Sequence, residues 1–403
     1  MPSTRPEIAQ GGFPEEAGRL RVGPPSPYVY RSAYKRAAAK ALDSAGRLAF
    51  RRHRPEVDWS EVRKVAVLRL DHLGDLLHQL PFLRSLRSGL PGARIELWTG
   101  PWGRELAGMF ADVDQVRETP ASWFARPARV EWPWGDIRAL ARGLKEGGYD
   151  AAFEPRGDLR HHLALWGSGI QRRIGHAVTA GGFLLTQEVP WDPGLHEQDQ
   201  SLALATACGL PEGPPPAGGY LEIPASALEQ AEALARALKL GARRVLVQAA
   251  CGTAAKRWPP EAWARVIDGL PRGVDVCLLG SASERAEMEA LAARCHRAPA
   301  VAAGRLDLGG LTAFVGRAEA LLSVDSGPAH LAAVQGVKVL CLFSGTNRAG
   351  QWAPRGAGVR ILRGATTPCS PCELSECPFG NACMASLEPA TVLEGALGLL
   401  AEA

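Results

Sequence analysis

No uninterrupted apolar run in this sequence reaches the roughly 18–20 residues that a membrane span requires. The first residues lack the apolar segment of a secretory signal, so a cytoplasmic chain is the expectation. Two nucleotide signatures are missing as well. Neither of the two strand series described below opens on G-x-G-x-x-G, and G-x-x-x-x-G-K-[ST] occurs nowhere, which argues against dinucleotide dehydrogenases and P-loop enzymes. Neither sign of charge dominates. The formal net charge is only +4 over 403 residues, and no nucleic-acid partner is expected. Lysine is scarce, at seven of 46 basic residues, so each lysine placed near a strand end draws notice. The nine cysteines are an odd number, and Cys208, Cys277, Cys295 and Cys341 sit in apolar contexts. That pattern fits reduced thiols better than a secreted disulfide framework.

A chain of 403 residues is long enough for two domains with separate cores. Residues 1–27, rich in Pro, Gly and Glu, read as a mobile tail. Tyr28 to His53 read as a basic amphipathic helix with Tyr30, Tyr34, Ala37, Ala41, Ala45 and Leu48 on one face. Two roles stay open for it: packing on the body of the protein, or lying on an anionic membrane surface. Its alanine-rich face buries little area and favours the first. From Val65 onward, short strands (Val65–Leu70, Arg94–Thr99, Gln115–Glu118, Asp150–Glu154, and one beginning at Arg172) alternate with helices such as Leu76–Leu90 and Ile137–Glu146. Such alternation indicates a parallel sheet with crossover connections. The proline- and glycine-rich stretch 211–219 breaks the series. After a helix over 226–240, a second series follows at Val245–Val247, Val274–Leu279, Ala300, Ala320–Val324 and Val339–Phe343. The expected division is a tail and helix over 1–60, one α/β domain over 61–224 and another over 225–403, with a ligand cleft between them.

Chemistry is expected where these strands end, because ligands of open α/β sheets bind at the carboxyl ends of strands. The stretch VAVLRLDHLGDLLHQLP from Val65 to Pro81 runs from an apolar strand through Arg69, Asp71 and Gly74 to Asp75. Asp75 is either a site residue or a plain helix cap. Glu154-Pro155-Arg156-Gly157-Asp158 is a second strand-end cluster. Lys256, shortly after Val245–Val247 and the turn Cys251-Gly252-Thr253, suits a phosphate contact. Ser281 and Glu284 have capping-box spacing, which explains them without a ligand. The run Asp325-Ser326-Gly327-Pro328-Ala329-His330 carries more. Asp325 stands at a strand end where a carboxylate can accept from ribose hydroxyls. Ser326 and Gly327 open a helix whose unpaired N–H groups suit a diphosphate, and His330 falls in its first turn. Near the C-terminus, Cys369, Cys372, Cys377 and Cys383 have spacing that can gather four thiolates around a structural zinc or iron. Free thiols or a labile disulfide are the alternatives.

In their order, RLDHLGDLLHQLP, the segment around Lys256-Arg257-Trp258-Pro259, SVDSGPAHLAA and LFSGTNRAGQWAPRG resemble the signature of the ADP-heptose:lipopolysaccharide heptosyltransferases, glycosyltransferase family 9. The resemblance runs from about Lys64 to the C-terminus. It implies a GT-B fold: two Rossmann-like α/β domains across an interdomain cleft, the first binding acceptor and the second a nucleotide sugar. It implies inverting transfer of a sugar, heptose by family default, from a nucleoside-diphosphate sugar to a lipopolysaccharide-type glycan, with no cofactor required for catalysis. Residue by residue it implies Asp75 as catalytic base, Lys256 and the Thr253 loop on the donor phosphates, and Asp325 on the donor ribose. Ser326, Gly327 and His330 fall at the phosphate-binding helix start, and Glu284 falls on the donor side. The cysteine cluster resembles one in related transferases for which a metal has been proposed. A lipid-linked acceptor would give the N-terminal helix a use at the inner face of a membrane. The loop Cys251-Gly252-Thr253-Ala254-Ala255 is poorer in hydroxyls than the family pattern. Other GT-B activities stay open: an epimerase, a transferase acting on protein, or a non-catalytic nucleotide-sugar binder.

Overall fold

The computed structural model describes residue 30 and residues 32–50, 58–124 and 132–401. Two six-stranded sheets form the frame. The first contains β1 (Lys64–Leu68), β2 (Arg94–Thr99), β3 (Gln115–Glu118), β4 (Ala151–Glu154), β5 (Arg172–Gly175) and β6 (Gln187–Glu188). The second contains β7 (Arg244–Gln248), β8 (Asp275–Leu278), β9 (Ala300–Val301), β10 (Ala320–Val324), β11 (Lys338–Leu342) and β12 (Val359–Leu362). Every strand pairing in both is parallel. The first sheet has the order β3-β2-β1-β4-β5-β6 and the second β12-β11-β10-β7-β8-β9. Counted from its own first strand, the second is the first read backwards, so both halves have the 3-2-1-4-5-6 order of a doubly wound fold. The order reverses between β1 and β4 in one half and between β7 and β10 in the other. A crevice opens outside the strand ends at each reversal.

The strands are legible because helices cover both faces of each sheet. Buried on two sides, a parallel strand becomes a continuous apolar run. Along β1, Val65 and Val67 pack on one side with Leu83, Ile95 and Phe153, while Ala66 and Leu68 pack on the other with Trp98, Ala152 and Leu165. The same alternation splits Val245 and Val247 from Leu246 in β7. The final helix, Pro389–Ala401, buries Val392, Ala396 and Leu399 beside Trp263 and Ile267 of the helix Pro260–Gly269.

Three expectations need correcting. The helix expected over 76–90 is two helices, Leu73–Leu77 and Leu80–Gly89. Pro81 lies in the first turn of the second; in a continuous helix its ring would meet the Leu77 carbonyl, and it has no N–H to donate. The N-terminal helix, Ala33–Ala49, docks through Ala39, Asp43 and Gly46 rather than through the stripe containing Tyr34 and Leu48, which are 81% and 88% exposed. Asp43 accepts the Gly181 N–H at 2.7 Å. A Cβ on Gly46 would lie 2.3 Å from the Phe183 ring, so the close approach needs glycine. Polar capping and a small residue hold this helix, not the apolar stripe. Finally, β6 and β12 have no counterpart among the expected strands: β6 is only two residues long, and Val359-Arg360-Ile361-Leu362 follows a glycine- and proline-rich loop and sits half-buried at a sheet edge. The tail 1–27 lies outside the described residues.

The segment between the halves is pinned to the first. Tyr220 and Glu222 bond across to Ala111 and Met109 at 3.0 and 2.7 Å, around an antiparallel bridge between Phe110 and Leu221. Direct contacts cross the seam as well. Gly309 N–H donates to Glu105 at 2.6 Å, Gln351 to Glu197 at 3.0 Å, and Arg355 makes two bonds to Asp199 at 2.6 and 2.8 Å.

Candidate active site

One cleft of about 970 Å³ lies between the two reversals, and Asp75, Thr253, Lys256, Glu284, Asp325, Ser326, Gly327 and His330 all line it. The cleft wall of the first half is built from the ends of β1 and β4. β1 delivers Arg69, whose N–H bonds to the Trp98 carbonyl at 2.9 Å and whose side chain is 1% exposed. Its guanidinium meets three carboxylates: Asp71 at 2.7 Å, Asp75 at 3.2 Å and Glu197 at 3.8 Å. Arg156, beyond β4, reaches the other oxygen of Asp71 at 2.6 Å. The Trp102 indole donates to the Asp71 carbonyl.

Asp75 is the most open carboxylate of this group, with 15% of its side chain exposed. One oxygen takes Arg69 and the other the His72 N–H at 3.2 Å. It therefore caps its short helix and also faces the cleft, so the two readings of Asp75 are not exclusive. Burial raises its pKa, but Arg69, Arg156 and His72 outweigh burial and leave the carboxyl below its usual range. Asp71 and Glu197 go the other way: burial dominates over Arg69 and pushes both carboxyls up.

The opposite wall is built from the ends of β7 and β10. Lys256 closes a short 3₁₀ turn, Ala254–Lys256, capped by Thr253, and its ammonium lies 2.5 Å from Asp325. Asn347 donates to the same Asp325 oxygen at 3.2 Å, and the His330 Nε2 lies 3.8 Å from the other. Burial would raise Asp325, but His330 and Lys256 hold it below the usual range. The helix Gly327–Val334 starts here with Ser326 as its N-cap and Pro328 in its first turn. Its free N–H groups and the positive end of its dipole suit an anion. Glu284 lines the cleft and also closes the capping box, accepting the Ser281 N–H at 2.8 Å. At the seam, a Cβ on Gly74 would lie 3.5 Å from the His330 ring. The imidazoles of His78, His196 and His330 stack edge to face, His78 lying 5.0 Å from His196 and 4.8 Å from His330.

Sequence reasoning placed Arg69, Asp71 and Arg156 at strand ends but assigned them nothing. It passed over Glu197 and Asn347. Asn347 stands in a strand-end loop, a signal that was available. Glu197 has no local signal, since it is brought to Arg69 by a helix, Glu197–Ala207, of another segment.

The four cysteines of the C-terminal cluster come together in space. Cys369, Cys372, Cys377 and Cys383 do line one small cavity. Yet among the described residues no group of three or more His, Cys, Asp or Glu is arranged to hold a metal ion. Several sulfurs are engaged locally instead: Cys383 accepts from Gly345 N–H at 3.2 Å, Cys377 from Phe379 N–H at 3.4 Å, and Cys369 contacts the Thr367 hydroxyl at 3.2 Å. Burial and the neighbouring sulfurs push the Cys372 and Cys383 thiols up.

Comparison with known proteins now bears on this geometry. The model of the family described as glycosyltransferase family 9 (heptosyltransferase) matches residues 137–383. The chain is 28% identical to lipopolysaccharide heptosyltransferase 1 of Pseudomonas aeruginosa over 346 residues, covering 78% of this chain and 88% of that protein. In structure it is similar to a family 9 glycosyl transferase from Veillonella parvula, with a TM-score of 0.73 at 20% identity, covering 86% of this chain and 99% of the other. It is also similar to the ADP-heptose lipopolysaccharide heptosyltransferase II of E. coli, with a TM-score of 0.66 at 20% identity, covering 84% and 98%. At that identity the structural likenesses bear on the fold, which is the expected GT-B arrangement.

Proposed function

The chain belongs to glycosyltransferase family 9, the heptosyltransferase family, and from that membership we propose inverting transfer of a heptose from ADP-heptose to a lipopolysaccharide-core acceptor. That the chain is a glycosyltransferase follows from the family; the sugar, nucleotide and acceptor are drawn from the names of its relatives. The observation that carries the reading is the cleft itself, with a carboxylate at one switch point facing an ammonium and a helix start at the other.

In this reading Asp75 takes the proton of an acceptor hydroxyl as that oxygen attacks the anomeric carbon. The new C–O bond forms as the bond from the anomeric carbon to the diphosphate breaks, and its electron pair leaves with ADP. Lys256 and the N–H groups after Ser326 and Gly327 stabilise the charge that develops on the diphosphate, as preorganised donors do in a water-poor site. Asp325 holds Lys256 in place with one oxygen and offers the other to donor hydroxyls. Thr253, Glu284 and His330 complete the donor side. Calorimetric titration with ADP, GDP and UDP, run beside a transfer assay on Asp75→Ala, tests this. ADP should bind both proteins, while transfer falls by about 10²–10⁴ in the variant. Wild-type transfer by Asp75→Ala would remove the base, and preference for GDP or UDP would remove the donor.

We also infer a peripheral contact of the helix Ala33–Ala49 with the inner face of an anionic membrane. No helix among the described residues is long and apolar enough to cross one. Tyr34 and Leu48 stand exposed on a helix that carries Lys35, Arg36, Lys40 and Arg47, an arrangement suited to anionic headgroups. Vesicles rich in phosphatidylglycerol should sediment the wild type but release the triple variant Tyr34→Ser, Lys40→Glu, Leu48→Ser. Equal sedimentation of both would sink the contact.

A further inference from the structure

Five charged groups crowd the end of β1, and the mechanism above uses one of them. Arg69 is the centre. It is buried, and its closest carboxylate is not Asp75 at 3.2 Å but Asp71 at 2.7 Å. Asp71 is itself fastened from the far side by Arg156 at 2.6 Å. A buried guanidinium bearing on a single carboxylate would keep it ionised but make it a poor proton acceptor, because the same charge that favours the anion opposes protonation. A general base needs the opposite compromise: ionised before the reaction, yet basic enough to take a proton during it. Dividing Arg69 among Asp71, Asp75 and Glu197 weakens its hold on any one of them.

We propose that Asp71 and Arg156 are positioning residues that set the basicity of Asp75 through the shared guanidinium of Arg69. The inference rests on Asp75 being the base. Asp71 draws Arg69 toward itself and adds negative charge beside Asp75. Arg156 opposes this by pairing with Asp71. The other groups facing Asp75 are His72 in its own turn, Glu197 from the helix Glu197–Ala207, and the His330–Asp325–Lys256 group across the seam. All of these stay in place when Asp71 or Arg156 is changed, so the two substitutions carry opposite signs. Removing the Asp71 charge leaves Arg69 and Arg156 to act on Asp75 and lowers its pKa. Removing the Arg156 charge raises it. Loss of a merely structural contact predicts neither sign.

The measurement is the pH profile of kcat/KM for transfer from ADP-heptose, on full-length wild type, Asp71→Asn, Arg156→Gln and Arg156→Lys, with ADP affinity as a control. Asp71→Asn should move the acid limb down by about one pH unit and lower the plateau rate about threefold, following Brønsted behaviour. Arg156→Gln should move the limb up, Arg156→Lys should return it, and ADP affinity should stay within twofold throughout. An unmoved limb in the folded variants, or movement in the same direction for both, overturns the proposal. If Asp71→Asn does not fold, Arg156→Gln decides alone, because its side chain is 35% exposed and its upward shift is equally specific. The two levels of the argument fail differently. Activity in Asp75→Ala removes the base and this inference together. An inactive Asp75→Ala with unmoved limbs removes this inference only.

Discussion

The two halves of the molecule share a topology and differ in what they place where the strand order reverses. At the end of β1 and β4 stand two arginines and three carboxylates, most of them in contact with each other. At the end of β7 and β10 stands one lysine–aspartate pair beside the start of a helix. The contrast follows from what each crevice would do. A proton acceptor works by its charge state, and charge state in a buried place is set by neighbouring charges. An anion is held by fixed partial charges, which backbone N–H groups supply without a counter-ion of their own. In the proposed reading, one frame thus makes a charge-dense wall for chemistry and a sparse, donor-rich wall for binding.

That contrast can be broken at either wall, and the largest effect is expected at the first. Asp75→Ala should cost about 10²–10⁴ in rate while ADP binding survives. Lys256→Met should instead abolish most of the ADP affinity. The lost charge-assisted bond is worth about 1.5–3 kcal/mol, or roughly 10- to 150-fold. Because the substitution strands Asp325 as a buried and less compensated carboxylate, thermal stability should also fall, and Lys256→Met with Asp325→Asn should recover part of it. Calorimetry with ADP and a melting curve on the single and double variants check both points. If Asp75→Ala were instead the variant that loses ADP, the division of labour between the walls would be wrong.

How much of this was visible beforehand differs between the walls as well. The strands Arg94–Thr99 and Ala320–Val324 stand at the residues read from the sequence, because burial on two faces favours apolar residues that a sequence window detects. Asp325 was visible for the same reason, as the carboxylate that ends such a run, and Asp75 as the carboxylate after the glycine that follows one. The pairing of Lys256 with Asp325 was not, since it depends on β7 lying beside β10, and strand order is not a local property. The charge lattice around Arg69 was hidden more deeply. Glu197 comes from a helix whose face toward the core mixes Glu197, Gln200 and Ser201 with Leu204, so no hydrophobic period marks it. The break at Pro81 was legible in the residue itself and was overridden by the apolar pattern around it. The outward-facing Tyr34 and Leu48 show the same error in reverse: an apolar stripe was read as the docking face when a buried Asp43 and Gly46 do the docking.

The remaining expected effect lies at the seam, and it tests whether the walls are held together by neutral imidazoles. His196 Nε2 donates to the Ala353 carbonyl at 2.8 Å, joining the first half to the second, and lies beside His78. Burial, with Arg355 and His330 nearby, pushes His196 down to about 4, and burial with the charges of His330 and His196 lowers His78 well below its ordinary range. A histidine depressed in the folded state takes its proton first in the unfolded chain, so the unfolded state gains protons as pH falls from about 6.5 toward about 4. Stability should be level above about pH 6.5 and decline across that window, by up to ~3 kcal/mol from His196 alone. Urea midpoints measured from pH 7 to pH 4 should show the decline, and His196→Gln, which keeps a side-chain amide for the Ala353 carbonyl, should flatten it. A wild-type midpoint that stays level to pH 4.5 would mean that the seam tolerates charge. The walls would then be held together by Arg355–Asp199, Gln351–Glu197 and the Glu105–Gly309 contact instead.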